Sequence, residues 1–306
     1  MNENTNMISA GASIAGRNKR YVLWFYLLNL IFAHFGASAF SDQAHKILDH
    51  SLNADKLLHG FNLEIFFEML MRPEFGPEGA ATHPAMWFAI LFFLASLLFM
   101  PGVLLGYASD HRLPRDEFYR ACGRNVWRFV RLFLFFIVIA GIVAGILFRV
   151  MNALVNAADK TSNERLPFFT QLIGALIIFL VLTVIRIWFD LAQIDVVLRD
   201  QHAVRKSIAS GFRRTRRNFG RLLGSYVVIA IVASAVLAAG ILLWHAVVPP
   251  SSVLGAFIVG QATLLLLLAA RFWQRATAVA FYEQELAAPT VEEASLVSVF
   301  TAPAVP

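Results

Sequence analysis

Residues 119–148 read YRACGRNVWRFVRLFLFFIVIAGIVAGILF, a basic segment that runs directly into an apolar one. The apolar part, from Phe129 to Phe148, contains Arg131 as its one charged side chain. A helix needs about 20 residues to cross the hydrocarbon core of a bilayer. The run has that length and lacks the alternation of a barrel strand, so it predicts a membrane-spanning helix.

Five further apolar runs have a similar length and composition. They lie at residues 21–40, 85–107, 167–187, 222–246 and 252–270. Water cannot satisfy backbone groups inside lipid, so each run must form its own hydrogen bonds as a helix. The chain of 306 residues, 58% hydrophobic and 15% charged, therefore predicts an all-α fold, a polytopic bundle of six transmembrane helices.

The loops between the runs differ sharply in positive charge. If all six runs cross the membrane, one side carries 20 of the 26 Lys and Arg residues and the other side carries six. The positive-inside rule places the richer side, and both termini, in the cytoplasm. The net charge of +6 comes from the same loops, so it indicates attraction to anionic membrane lipids and not to nucleic acid.

This orientation divides the chain into four parts. They are a cytoplasmic segment 1–20, a transmembrane domain 21–283, an extracytoplasmic segment 41–84 within that domain, and a disordered cytoplasmic tail 284–306. The first apolar run follows basic residues as in a signal peptide. It is long and has no convincing cleavage site, so we interpret it as an uncleaved first span.

The basic segment 119–128 recurs 93 residues later, at 212–221. Both copies follow the pattern aromatic-Arg-x3-Arg-Asn-x2-Arg, where x is any residue. Each copy leads into a long apolar run. The repeated unit is a helical hairpin: a span, a basic cytoplasmic helix and a returning span. Spans two and three form one copy, spans four and five another, and the sixth span matches half of a third through Arg-x-Trp at 186–188 and 271–273.

The arginines of each basic segment fall at i, i+4 and i+8, on one face of a helix. A basic amphipathic helix beside a membrane predicts an interfacial helix in the headgroup plane. The candidate lipid-headgroup ligands are Arg120, Arg124, Arg128, Arg213, Arg217 and Arg221. Two interpretations remain: specific binding of a lipid or partner, or simple anchoring of the flanking spans, which we favour.

Three polar residues lie at the ends of apolar spans and are candidates for an intramembrane role: Arg186, Arg271 and Asp190. Arginines at such positions ordinarily extend to the interface, although charge within a membrane is costly enough to suggest a purpose. Asp190 begins a series with Asp195 and Asp200. Their spacing does not line one helix face, so we expect interfacial ion pairs with neighbouring arginines.

No residue pattern predicts catalysis, a metal site or a cofactor. The extracytoplasmic segment contains His45, His50, His59 and His83, but their spacing matches no established metal motif. An amphipathic helix is predicted there over residues 57–71. Cys122 is the one cysteine, so neither an intramolecular disulfide nor a thiolate metal site can form.

Small residues are concentrated in the third and fifth spans. Gly141 and Gly145 form a small-xxx-small pattern, and residues 230–240 are rich in alanine. Small residues allow helices to approach closely in a membrane. The pattern therefore predicts that these two spans form the packed centre of the bundle.

The layout resembles a loose group of uncharacterised bacterial six-span proteins. It is also loosely similar to the membrane domain fused to some glycerophosphoryl diester phosphodiesterases. The likeness rests on the basic segments 119–128 and 212–221, with Trp188 before the second, and covers residues 85–285. The resemblance implies a protein of the bacterial cytoplasmic (inner) membrane. This sequence contains no phosphodiesterase catalytic domain, so no activity is implied.

Three functions fit the sequence. The first is a non-enzymatic scaffold, lipid-binding protein or accessory subunit, with a protein partner or a second copy of the chain as further candidate partners. The second is a transporter or channel subunit, which calls for acidic side chains facing a cavity. The third is a membrane-embedded enzyme acting on lipid headgroups, which calls for a site in the histidine-bearing segment. The absence of any catalytic constellation favours the first.

Overall fold

A computed structural model describes residues 3–48, 82–109, 111–161, 165–249 and 252–287, with Ile65, Glu68 and Met71. Several predictions concern parts of the chain outside these residues. They are the amphipathic helix over 57–71, His50, His59, the side chain of His83 and the tail beyond residue 287.

The described residues form eight α-helices and no strand. They are α1 Glu3–Arg17, α2 Lys19–Leu48, α3 Thr82–Ala108, α4 Arg115–Ala158, α5 Leu166–Leu198, α6 Val204–Arg217, α7 Phe219–Val247 and α8 Val253–Ala287. All except α1 and α6 are long and apolar enough to cross a membrane. The predicted all-α, six-span fold is confirmed, and the protein is a multi-pass membrane protein.

Several helices extend beyond the apolar runs that predict them. The helix α4 has 44 residues because it includes the whole first basic segment. Asp190 and Asp195 lie inside α5, and α8 continues to Ala287. The predicted disordered tail therefore begins too early, at residue 284. Two polar residues within these extensions bind a neighbouring helix: Asp190 accepts from Tyr226 and Asp195 accepts from Tyr282.

The buried core lies at one end of the bundle, where the basic segments meet. Residues 185–197 of α5 and 270–282 of α8 supply most of it, together with Val103, Leu104 and Tyr107 of α3. Toward the other end, the spans expose large apolar side chains such as Ile142, Leu172 and Leu242. Such faces are suited to lipid, because lipid tails are as apolar as the side chains they cover.

The two glycines of the third span, Gly141 and Gly145, do not bring helices together, contrary to the sequence prediction. A Cβ added at Gly141 or at Gly145 would meet no atom within 4 Å. In the fifth span Gly240 does lie against a neighbour, because an added Cβ would come within 2.8 Å of the Thr263 side chain. The packed centre is therefore at the level of the basic segments and not at Gly141.

Candidate functional site

The basic end of the bundle consists of α1, the first turns of α4 (residues 115–129), residues 199–221 and the last turns of α8 (residues 271–287). Long-range contacts hold these segments together. Arg128 donates to Oδ1 of Asp200 at 2.6 Å, and Arg214 donates to Oε2 of Glu285 at 2.7 Å. Most of the positive charge of the chain is therefore gathered at one end of the bundle.

The short basic helix α6 is docked directly on α5. The indole of Trp188 donates a hydrogen bond to the carbonyl of Ile208 at 2.7 Å. A Cβ at Gly211 would lie 2.7 Å from the Trp188 carbonyl oxygen, so only glycine allows this approach. The second basic segment is thus fixed against the preceding span by one aromatic hydrogen bond and one close backbone contact.

The N-terminal helix α1 docks on α8 in the same way. Trp273 donates to the carbonyl of Ile8 at 3.0 Å, and a Cβ at Gly11 would lie 2.7 Å from the backbone nitrogen of Thr277. Together α8, α1 and α2 form the third copy of the hairpin, with its halves at opposite ends of the sequence. Sequence reasoning found only the α8 half, although Gly-x5-Arg-Asn occurs both at 11–18 and at 211–218.

Each copy has an asparagine directly after an arginine, and all three asparagines make the same hydrogen bond. The side-chain amides of Asn18, Asn125 and Asn218 donate to the carbonyl four residues earlier, at 3.2, 3.1 and 3.3 Å. The helix breaks at Asn18 and at Asn218 but continues through Asn125. The prediction of a separate interfacial helix is therefore wrong for residues 119–128, which are the first turns of α4.

Arg128 is buried in a polar cluster and does not face solvent. Its guanidinium donates to Oδ1 of Asn125 at 3.0 Å and to Oδ1 of Asp200 at 2.6 Å. Nδ1 of His202 lies 2.6 Å from Nη2 of Arg128 and accepts, because a guanidinium only donates. Arg128 has a structural role here, so the structure gives no support to its assignment as a headgroup ligand.

The Arg128 hydrogen bond and, to a smaller extent, the Arg124 charge hold the pKa of Asp200 below its usual value. Asp200 lies in the loop between α5 and α6 and has a positive φ of 48°, a conformation that Asp tolerates better than most residues. Its carboxylate lies 3.8 Å from Arg124. The loop before α6 is thereby joined to α4.

The other predicted headgroup ligands divide into two groups. Arg120, Arg124, Arg213 and Arg217 are exposed. Arg221 is half-buried, with its guanidinium 6.0 Å from the centre of the Phe281 ring. Six cations of the basic end that were not among the sequence candidates are also exposed: Arg17, Arg115, Arg199, Arg205, Lys206 and Arg216. The surface can therefore offer several guanidinium and ammonium donors to phosphate groups at once.

The intramembrane candidates Arg186 and Asp190 lie close together, whereas Arg271 is exposed. Asp190 is buried and accepts a hydrogen bond from the Tyr226 hydroxyl at 2.9 Å, and Nε of Arg186 lies 3.7 Å from the same oxygen. Asp195 is 4.0 Å from Arg199. The predicted ion pairs are confirmed for these two aspartates, whereas Asp200 pairs with α4. Across the described residues, no three His, Cys, Asp or Glu side chains could together hold a metal ion.

Comparisons with known proteins give no match: no family model, curated protein or solved structure is similar to this chain. The fold and the basic end define the class, a multi-pass helical membrane protein with one strongly basic face. The resemblance to bacterial six-span proteins stays a prediction.

Proposed function

We propose that this is a non-enzymatic protein of the bacterial inner membrane whose basic end faces the cytoplasm and binds anionic lipid headgroups. In that position it serves as a scaffold or accessory subunit. The observation that carries the proposal is the exposure of Arg120, Arg124, Arg213 and Arg217 on one assembled surface. A basic residue near an anionic membrane surface contributes about 1 kcal/mol to binding.

The anchoring role and the binding role belong to different arginines in this proposal. Arg128 and Arg214 are engaged with carboxylates of other segments, at 2.6 and 2.7 Å, and they fix the surface. The four exposed arginines lie outside those pairs, apart from the 3.8 Å approach of Arg124 to Asp200. The transporter alternative gains less support, because the buried Asp190 is already bound by Tyr226 and Arg186.

The test is lipid binding by the full chain, purified in a mild detergent and observed by native mass spectrometry. The basic-end variant carries Arg120→Gln, Arg124→Gln, Arg213→Gln and Arg217→Gln. The control carries four charge losses at exposed positions on the opposite end: Lys46→Gln, Arg149→Gln, Lys160→Gln and Arg165→Gln.

We expect the basic-end variant to lose phosphatidylglycerol binding by at least tenfold, while the control binds as the unmodified protein does. The lost binding should also be the part that weakens with added salt, because exposed charges are screened. Equal binding by both variants would overturn the proposal.

A further inference from the structure

A groove lies between the apolar spans α4 and α5, and one of its ends is next to the basic end. It is an open groove with a volume of about 500 Å³, and it is lined by Ala140, Gly141 and Ala144 of α4 and by Phe179, Leu182 and Arg186 of α5. Its size is within the range of about 300–1,000 Å³ usual for small-molecule sites. The small side chains of α4 create this space, since a Cβ at Gly141 would meet nothing within 4 Å.

Nearly every group on the wall of the groove is apolar or internally satisfied. The hydroxyl of Thr183 also lines it, but this hydroxyl donates to the Phe179 carbonyl at 2.8 Å. A free phosphate ion would be poorly accommodated along such a wall, because a charged group in apolar surroundings loses its hydration. A hydrocarbon chain fits the wall well.

Arg186 is the one charged residue among those that line the groove, and it lies at the end nearest the basic end. Its side chain is 38% exposed. The nearest carboxylate oxygen is Oδ2 of Asp190, which is 3.7 Å from Nε and already accepts from Tyr226. Within the described part of the chain, the Arg186 guanidinium donates no hydrogen bond, and its Cζ lies 6.0 Å from the centre of the Tyr226 ring.

We propose that this groove binds one glycerophospholipid, with an acyl chain along α4 and α5 and the phosphate on Arg186. A guanidinium can bind a phosphate through two parallel hydrogen bonds. The phosphate also adds negative charge beside Arg186, whose carboxylate partner, Asp190, is 3.7 Å away and already accepts from Tyr226. This inference deepens the proposed lipid-binding function but concerns a separate site, because none of the four exposed arginines lines the groove.

A second groove, between α7 and α8, provides an internal comparison. It encloses about 290 Å³ and is lined by apolar residues and glycines, including Leu237, Gly240 and Gly260, and by Thr263, with no charged residue. Both grooves can receive hydrocarbon, but only the groove between α4 and α5 has a cation at its end. Selectivity for a phosphate headgroup is therefore expected in that groove alone.

The experiment measures lipid binding to the full chain in detergent by native mass spectrometry. It is run in about 1 M ammonium acetate, where the Debye length of about 3 Å removes most binding to exposed charges. The probes are dioleoyl phosphatidylglycerol, dioleoylglycerol and inorganic phosphate. The variants are Arg186→Gln, Arg186→Lys and Gly141→Leu, with Gly260→Leu as the control because a Cβ at Gly260 also meets open space.

We expect one phosphatidylglycerol to bind at high salt, at least tenfold more tightly than dioleoylglycerol, with no retention of inorganic phosphate. Arg186→Gln and Gly141→Leu should each weaken this binding at least tenfold, and Arg186→Lys should restore part of it. Gly260→Leu should have no effect. Should Arg186→Gln prevent folding, Gly141→Leu and the comparison of probes decide the matter.

The proposal is overturned if dioleoylglycerol binds as tightly as phosphatidylglycerol, or if Gly141→Leu retains the lipid unchanged. Retention of inorganic phosphate without lipid would overturn it as well. The basic-end variant separates the two lipid proposals. It should still bind one phosphatidylglycerol at high salt while losing the salt-sensitive binding. Either proposal can therefore be overturned without the other.

Discussion

The first and second copies of the basic segment share a sequence motif but differ in structure. In the first copy α4 runs without interruption from Arg115 to Ala158, whereas in the second α6 ends at Arg217 and α7 begins at Phe219. One of the residues that differ is seven positions before the asparagine: Phe118 in the first copy and Gly211 in the second. Where glycine is present at this position, as also at Gly11, the basic helix docks closely and the helix is interrupted at the asparagine.

The aromatic ring of Phe118 changes how the first copy docks. It stacks on Tyr21 with 5.7 Å between ring centres, and it lies against Gly102 of α3, where a Cβ would come within 2.6 Å of the ring. In this copy the glycine is on the span and the bulky residue on the basic segment. We attribute the continuous helix to this exchange, because the ring keeps the first turns of α4 in line with the span.

The largest effect should come from giving the second copy the residue of the first. In Gly211→Phe the new Cβ overlaps the Trp188 carbonyl, and α5 has Asp195 where α3 has Gly102. We expect a loss of about 3 kcal/mol and faster hydrogen exchange over residues 204–217. Thermal unfolding in detergent measures the loss. The matched control is Gly220→Phe, which enters open space, and equal unfolding midpoints for the two variants would contradict the comparison.

A smaller effect is expected from Arg128→Gln, which removes the link from α4 to the loop before α6. Hydrogen bonds to charged groups contribute about 1.5–3 kcal/mol. Since Asp200 is partly exposed, with 46% of its side chain accessible, we expect a loss of about 2 kcal/mol. Arg217→Gln, at an exposed position of the second copy, should leave the unfolding midpoint within error. If neither change lowers the unfolding midpoint, Arg128 does not stabilise the first copy.

The two asparagines should respond differently to replacement by alanine. Asn125 is buried and accepts from Arg128 at 3.0 Å, so Asn125→Ala should cost about 1 kcal/mol. At Asn218 the backbone N–H already donates to the Arg214 carbonyl at 3.0 Å, and alanine favours helix. Asn218→Ala should therefore cost less than about 0.5 kcal/mol. The same unfolding measurement ranks them, and the reverse order would disprove this account.

The smallest effect concerns pH. The pKa of Asp200 is lower in the folded protein than in the unfolded chain, so its stabilising contribution is present above about pH 4 and is lost as the pH falls through the folded value. Asp200→Asn should be less stable than the unmodified protein at pH 7, and the gap should close in acid. A gap that persists below the folded value would show that the charge of Asp200 is not involved.

The spans were predictable from sequence because lipid imposes a long, continuous apolar signal on each helix. The hairpin repeat was visible because three arginines and an asparagine recur in register. The docking of α1 was not found, since it depends on a contact between Trp273 and Ile8 at opposite ends of the sequence. The Gly11 and Gly211 match was a usable signal for it.

The candidate site was only partly predictable for a similar reason. Arg120, Arg124 and Arg128 share one helix face, yet only Arg128 is buried. The difference comes from Asp200 and His202, which arrive from a loop about 70 residues further along the chain, and helix periodicity carries no information about that loop. The groove beside Arg186 was missed because the small residues of the third span suggested contact where the structure has space.

The third hairpin also has a consequence for assembly. Its short helix α1 precedes all six spans in the chain, whereas α8, which supplies Trp273 and Thr277 for docking, follows the other described helices. During synthesis α1 must therefore wait without its packing partner while the spans α2, α3, α4, α5 and α7 are inserted. Synthesis of α8 then completes the third hairpin, so a chain that stops before α8 leaves α1 undocked and open to quality-control proteases.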